Sequence, residues 1–537
     1  MENNNNKNTI IALVLMLVVW IGFSLLNPPS PTAPSEETVV QNKETVVQNQ
    51  RSVSREEVVQ TTPVSPAIKS EMAQDVREIK VENDKFRALF TNAGARLKSL
   101  QLKEYTETDD SDSPLITLID VGPERLASLR TVGMDGFDLS PEALYTFSAD
   151  GDLLISGGET AQLVFSTTSA SGLIVEKIFN FQGESYHFDL QIRVSNPLEN
   201  TFRGTMILSL VQPWDESMEG SNFEFVGPAT FIGDDVKTDD VDDLVKESKS
   251  YGKEVVWTAF ETKYFISAVV PLENAAEQVR IEREDNLVIN ALESPYLTVA
   301  PKETLSLDYL LYFGPRHLEI LKDVNYQLAE AIDFGFFSFL AKPLRLVLNF
   351  FYTFVGNWGV AIILLTVIIK LLFWPLTQKS YSSMKAMQKL QPEMAKIREK
   401  CKNDKERLNR EIMELYKKNR VNPLGGCLPM VVQIPVFFAL YQVLLNDIAL
   451  RHAPFMFWIN DLSAKDPYYV TPLIMGATMF IQQRMTPTTM DPTQAKMFML
   501  MPVVFTFMFL NFPSGLVIYW LINNLLTILQ QYFINRK

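Results

Sequence analysis

The residues that could do bond chemistry are few, and their spacing specifies little. Ser382-Ser383-Met384-Lys385 fits the Ser-x-x-Lys pattern in which a lysine activates a serine hydroxyl, but Ser250-Tyr251-Gly252-Lys253 fits it equally well. Two matches in unlike contexts carry little weight, and the first sits on a basic arm with no pocket. The chain has no Walker A loop, no His-Glu-x-x-His and no Gly-x-Ser-x-Gly. His187, His317 and His452 are scattered, which argues against a His-rich metal centre. Cys401 and Cys427 both lie outside 28–335, so that stretch has no disulfide framework. We expect no catalytic residue, metal, cofactor or small-molecule substrate. Without a nucleotide site, work must come from binding energy, the bilayer or another machine.

One lysine is out of place in a more informative way. The stretch VIIKLLFWPLT (367–377) ends a run of about twenty apolar residues, yet it contains Lys370. A lysine at the centre of a membrane helix costs roughly 2.5–3.5 kcal/mol on insertion scales. Other polar residues interrupt the remaining apolar runs: Thr366 one turn before Lys370, Gln433, then Thr478, Gln482 and Gln483. Tyr519, Asn523 and Thr527 follow one another at four-residue steps on one helix face. Most fall in the middle or the cytoplasmic half of their helices. That asymmetry suggests a wet cavity open to the cytoplasm, made positive by Lys370. Two plainer readings stand beside it. Lys370 could snorkel to the headgroups, and Gln433 and Asn523 could be glue between helices.

The elements that must hold these residues follow from hydropathy and charge. The chain has 537 residues and a net charge of −14, but the segment 377–420 carries 13 Lys/Arg against 6 Asp/Glu, a net +7, leaving −21 elsewhere. After a tail (1–9), an apolar run at 10–26 reads as a retained transmembrane anchor. A Pro-, Ser- and Gln-rich stretch (27–75) reads as a flexible linker. Residues 76–333 alternate apolar and polar with β-branched and aromatic enrichment, as in FRALFTNAGARLKSLQL and YHFDLQIRVSN, which predicts an all-β sandwich domain. Residues 334–356, carrying Lys342 and Arg345, suit an amphipathic helix on the membrane surface. Further spans are expected at 357–376, 423–447, 470–484, 495–511 and 515–534, six transmembrane helices in all. The basic segment 377–422 reads as a cytoplasmic helical hairpin, with Met384, Met387, Leu390, Met394 and Ile397 facing Leu408, Ile412 and Leu415, and Asp404 as an N-cap. Its charge places it inside, with both termini, and puts the β domain outside. It could merely fix topology, or dock an acidic partner such as ribosomal RNA, a nascent chain or lipid headgroups.

At this point RVNPLGGCLPMVVQIPVFFALY (420–441), WPLTQKSYSSMKAMQKLQP (374–392), the stretch 454–489 and FPSGLVIYWLINNLLTILQQ (512–531) resemble the YidC-type membrane protein insertases of Gram-negative bacteria. FTNAGARLKSLQL, WTAFETKYF and YFGPR resemble that family's periplasmic domain more loosely. The resemblance implies a five-helix insertase core, an extra N-terminal helix and a periplasmic β-supersandwich in the bacterial inner membrane. It implies no bond chemistry. Nascent inner-membrane proteins pass from the ribosome or the Sec translocon into membrane lipids through a hydrophilic groove holding one basic residue, which maps onto Lys370. Family members usually carry arginine there; lysine keeps the charge but loses the planar fork. Groove contacts map onto Thr366, Tyr519 and Trp520, with Gln433 and Asn523 nearby. Lys385, Lys389, Lys396 and Arg398 are the expected hairpin contacts. A transporter with Lys370 as an anion site and an envelope scaffold acting through the β domain are the competing classes. Neither inverted repeats nor paired broken helices support the first.

Overall fold

The computed structural model describes residues 76–536 apart from 111, 121, 123–126, 150, 219–224, 274, 402–403, 420, 422–427 and 487–498. The expected tail, first span and linker (1–75) lie outside the described residues.

The alternating segments form three sheets. A nine-stranded sheet has His187–Ser195 near its middle, antiparallel to Ile174–Gln182 on one side and Thr304–Pro315 on the other, in registers such as Leu190↔Phe179 and Leu190↔Tyr309. A five-stranded sheet centred on Phe86–Thr91 and a six-stranded sheet centred on Leu287–Glu293 pack against it. The first contact is aromatic: Phe90 meets Phe179 at 4.9 Å, and Phe86 meets Phe188 at 5.7 Å. The second is partly polar, Asn290 donating to Thr258 Oγ1 (2.8 Å) and to the Ala259 carbonyl (3.0 Å). Gly94 permits the turn between the strands of the FTNAGARLKSLQL segment. Its φ is +74°, and a Cβ there would sit 2.3 Å from the Pro141 carbonyl oxygen.

Lys177 is a buried amine on the inward face of its strand. It lies in the core of this domain, its Nζ donating to the carbonyls of Leu129 (2.8 Å) and Gly94 (3.4 Å). Burial, with Arg96 nearby, holds its pKa well below the ordinary lysine value. Between that lowered pKa and about 10.4 the unfolded chain binds the proton more readily than the folded one, so the domain gains stability as pH rises. Lys177→Met is therefore expected to remove a slope of up to about 1.4 kcal/mol per pH unit. Thermal melts of both proteins from pH 7 to 9 check it: the wild type should gain on the variant at each step, and a constant gap would refute it.

The helices follow. We number them α1 (Leu318–Val324), α2 (Ser338–Val355), α3 (Trp358–Lys389), α4 (Gln391–Lys400), α5 (Lys405–Lys418), α6 (Leu428–Asn446), α7 (Val470–Met485), α8 (Met501–Phe509) and α9 (Ser514–Arg536). Of the described helices, α3 and the Ser514–Ile534 part of α9 are long and apolar enough to cross a membrane, with a shorter apolar stretch at Val431–Asn446. Asn357 caps α3 by accepting from the Val360 N–H (3.0 Å). The corner from α2 is closed by Tyr352 stacked on Trp358 at 4.0 Å. Gly476 lets α7 approach α8, since a Cβ there would lie 2.0 Å from Thr506 Oγ1.

Two features differ from the expected layout. The helix starting at Trp358 does not end near 376 but runs unbroken through Pro375 to Lys389, so the first arm of the hairpin continues it. Its apolar face packs as anticipated: Met387, Leu390 and Met394 are buried with Leu415, and Met384, Ile397 and Ile412 lie against them. Tyr416 joins them, and Leu408 is only half-buried. Asp404 does cap α5, accepting from the Arg407 N–H (2.9 Å). The second difference is in α2. Lys342 and Arg345 were expected alike at the surface, yet only Lys342 is exposed there. Arg345 is buried, its Nε donating to Asp447 (2.8 Å) and its Nη1 and Nη2 to Glu319 of α1 (2.7 and 3.1 Å). Arg451 adds a second tie. It donates to the Thr106 and Glu107 carbonyls of the β domain and lies over the rings of Tyr264 and Phe265.

Candidate polar groove between α3, α7 and α9

Lys370 sits on α3 facing α9 and is only 8% exposed. Its ammonium donates to Asn523 Oδ1 (3.2 Å) and Thr527 Oγ1 (2.6 Å). The Thr527 hydroxyl hydrogen is itself committed to the Asn523 carbonyl (2.7 Å), which turns the oxygen lone pairs toward the ammonium. Both acceptors are neutral, and among the described residues no carboxylate pairs with Lys370. An ammonium has three N–H donors, so one is left for water or a ligand. A buried cation with only dipoles for company is costly, and such groups mark functional sites in membrane helices. The ammonium points into the protein, against the snorkelling alternative.

The remaining polar side chains spread outward from this pair. Thr366 is buried one turn away, but its hydroxyl is spent on the Ile362 carbonyl of its own helix (2.6 Å). Tyr519 is buried, and its hydroxyl lies beside the Gln433 side chain without a well-formed hydrogen bond. Trp520 is half-buried among Phe437, Phe505 and Phe509, with ring centroids 4.9–6.1 Å away, and its Nε1 is buried without a partner. Further along α9, Asn524 donates to Thr478 Oγ1 (3.4 Å), Gln530 to the Trp374 carbonyl (3.3 Å) and Gln531 to Thr486 Oγ1 (2.9 Å). Among the described residues the carboxamide oxygens of Gln482, Gln530 and Gln531 are buried with no partner. Buried polar atoms are almost always satisfied, so three such oxygens between α7 and α9 call for water or a ligand group.

The structure thus joins Lys370 to Asn523 and sets Tyr519 beside Gln433, while Thr366 keeps its hydroxyl to itself. Asn524, Gln530 and Gln531 were not singled out beforehand. The signal for Gln530 and Gln531 was a polar pair near a helix end, which reads equally as a solvated terminus; Asn524 only follows Asn523 in mid-helix. The hairpin cations divide: Lys389, Lys396 and Arg398 are exposed, whereas Lys385 is half-buried and reaches the Ile534 carbonyl at 3.5 Å. The Ser382 hydroxyl donates to the Gln378 carbonyl (2.9 Å), so the Ser-x-x-Lys spacing there does not bring hydroxyl and amine into a pair. Among the described residues, no three His, Cys, Asp or Glu side chains gather to hold a metal ion.

The comparisons with known proteins bear on both halves of the chain. Residues 350–537 match the family model of the 60Kd inner membrane protein, and residues 78–347 match that of the YidC periplasmic domain. The membrane protein insertase YidC of Geotalea uraniireducens is 47% identical over 99% of both chains, and that of Geotalea daltonii 46% identical over 99% of both. A solved structure titled as an active YidC insertase with its first transmembrane domain resolved aligns at a TM-score of 0.36 and 18% identity, covering 87% of this chain and 93% of that one. The chain belongs to the YidC family of membrane protein insertases, and its three-sheet domain is that family's periplasmic domain.

Proposed function

We propose that this protein inserts nascent inner-membrane proteins into the lipid by lodging their hydrophilic tails in the groove around Lys370. The observation that carries the reading is the buried ammonium held, among the described residues, by Asn523 and Thr527 alone, with one donor to spare. An acidic or polar tail meets that donor and the orphaned polar groups beside it in place of water, which shortens the hydrocarbon path it must cross. The apolar part of the substrate partitions into lipid, and that transfer drives the process. The substrate tail brings its own groups, and no bond is made or broken.

In this reading six helices span the membrane, counting 10–26 and 495–511, with both termini and the hairpin in the cytoplasm and the β domain in the periplasm. The cytoplasmic charge excess of 377–420 supports that orientation. The exposed Lys389, Lys396 and Arg398 suit a ribosome as the cytoplasmic partner, and the Sec translocon is a second source of substrate. A photo-reactive residue at position 520 tests the reading with a ribosome-stalled nascent membrane protein. The expected adduct is to the hydrophilic tail of the substrate. Adducts to lipid alone would overturn it.

A further inference from the structure

We infer that Gln482, Gln530 and Gln531 form an acceptor station that takes peptide N–H groups from the backbone of the substrate tail, independently of its sequence. The inference rests on the groove reading and adds a second recognition chemistry to it. Gln530 is fully buried and Gln531 1% exposed, and each spends its amide nitrogen inside the protein, on the Trp374 carbonyl and on Thr486 Oγ1. Those bonds fix which end of each carboxamide is free. The Tyr381 side chain also lies at the Gln531 amide, and the Thr486 hydroxyl is committed to the Gln482 backbone carbonyl (2.8 Å). What remains unmet is three carbonyl oxygens, all acceptors.

Depth gives the station its place. Trp374 is four residues beyond Lys370 on α3, and Gln530 is three beyond Thr527 on α9, so the acceptors lie one turn from the ammonium, toward the hairpin. Carboxylates cannot donate to them, and a cationic side chain there would lie close to the Lys370 charge. An extended peptide offers one N–H per residue whatever its side chains, and each N–H left unmet away from water is costly. Lys370 then reads the charge of the tail, and the glutamines satisfy its backbone.

The test uses the full chain in proteoliposomes and single-span substrates with the same apolar helix and an uncharged tail, built either from glycine and serine or with sarcosine in place of glycine. Sarcosine removes the N–H without changing charge. The wild type should insert the glycine tail roughly tenfold faster, the scale of one or two net hydrogen bonds to the glutamine oxygens that the sarcosine tail cannot make. Gln530→Leu combined with Gln531→Leu should reduce that preference to whatever the bulk of the N-methyl group contributes, a part common to both proteins, so the difference between the two proteins reports the hydrogen bonds. If the double variant does not fold, Gln482→Leu should lessen the preference. Equal rates for both tails in the wild type, or an undiminished preference in a folded variant, would overturn the inference. A Lys370→Ala protein separates the two readings. It should keep the preference for the glycine tail over the sarcosine tail while losing discrimination in favour of acidic tails, and if acidic tails are unaffected it is the groove reading that has failed.

Discussion

Replacing Arg345 with alanine is expected to destabilise the full chain by about 3–5 kcal/mol, the usual cost of leaving a buried ionic partner uncompensated. The Asp447 side chain is even more buried than that of Arg345 and would lose its only guanidinium among the described residues. Glu319 is more exposed and would recover solvent, so most of the loss belongs to the Arg345–Asp447 contact. Arg345→Lys should recover only part of it, because one ammonium cannot send Nε to Asp447 and a two-pronged contact to Glu319. Removing Asp447 as well should cost less than the sum of the single losses. The clamp should also resist acid. Arg345 holds the Glu319 carboxyl down at about 2, chiefly by hydrogen bonding. A carboxylate whose folded pKa is lowered contributes in full above about pH 4.3 and loses that contribution as pH falls toward 2. Thermal melts of the variants in detergent, repeated between pH 3 and 7, measure both effects.

Lys370→Ala is expected to slow insertion of substrates with acidic tails by roughly five- to thirtyfold and to leave purely apolar substrates almost unchanged. A charge pair at 4 Å is worth about 4 kcal/mol at an effective dielectric of 20, and a groove that admits water retains half or less of that, about 1–2 kcal/mol. Lys370→Arg should keep function, since it keeps the charge and offers more donors to Asn523 and Thr527. Parallel insertion assays on two substrates differing only in tail charge provide the measurement. Equal slowing of both by the alanine protein would contradict the role given to the ammonium.

How much of this was legible in the sequence differs from residue to residue. Lys370 was conspicuous because a charge in an apolar run has few cheap explanations, and the four-residue steps of Tyr519, Asn523 and Thr527 put the right face of α9 toward it. The β strands were legible where burial alternates, as in His187–Ser195, whose inward residues are Phe188, Leu190, Ile192 and Val194. Arg345 was not legible. Three residues from a lysine on an amphipathic helix, it looks like a headgroup contact until Asp447, 102 residues away, and Glu319 are seen beside it. Lys177 hides in the same way, because its partners are carbonyls, which every residue has. Gln530 and Gln531 sit where polarity is ordinary, and only the absence of partners for their oxygens gives them away. Periodicity reports which face is inward, but long-range pairing and unmet valence are properties of the assembled fold.

The uninterrupted course of α3 has a mechanical consequence. Thirty-two residues at 1.5 Å each make a rod of about 48 Å, roughly 18 Å longer than a hydrocarbon core. Its projecting end carries the basic hairpin, and Lys370 rides on the same rod about 28 Å from Lys389. Pro375, which removes one backbone hydrogen bond between them, is the natural fulcrum. A force on the hairpin end would therefore act on the same helix that carries the ammonium, with Pro375 as the one point along the way where the backbone is free to yield.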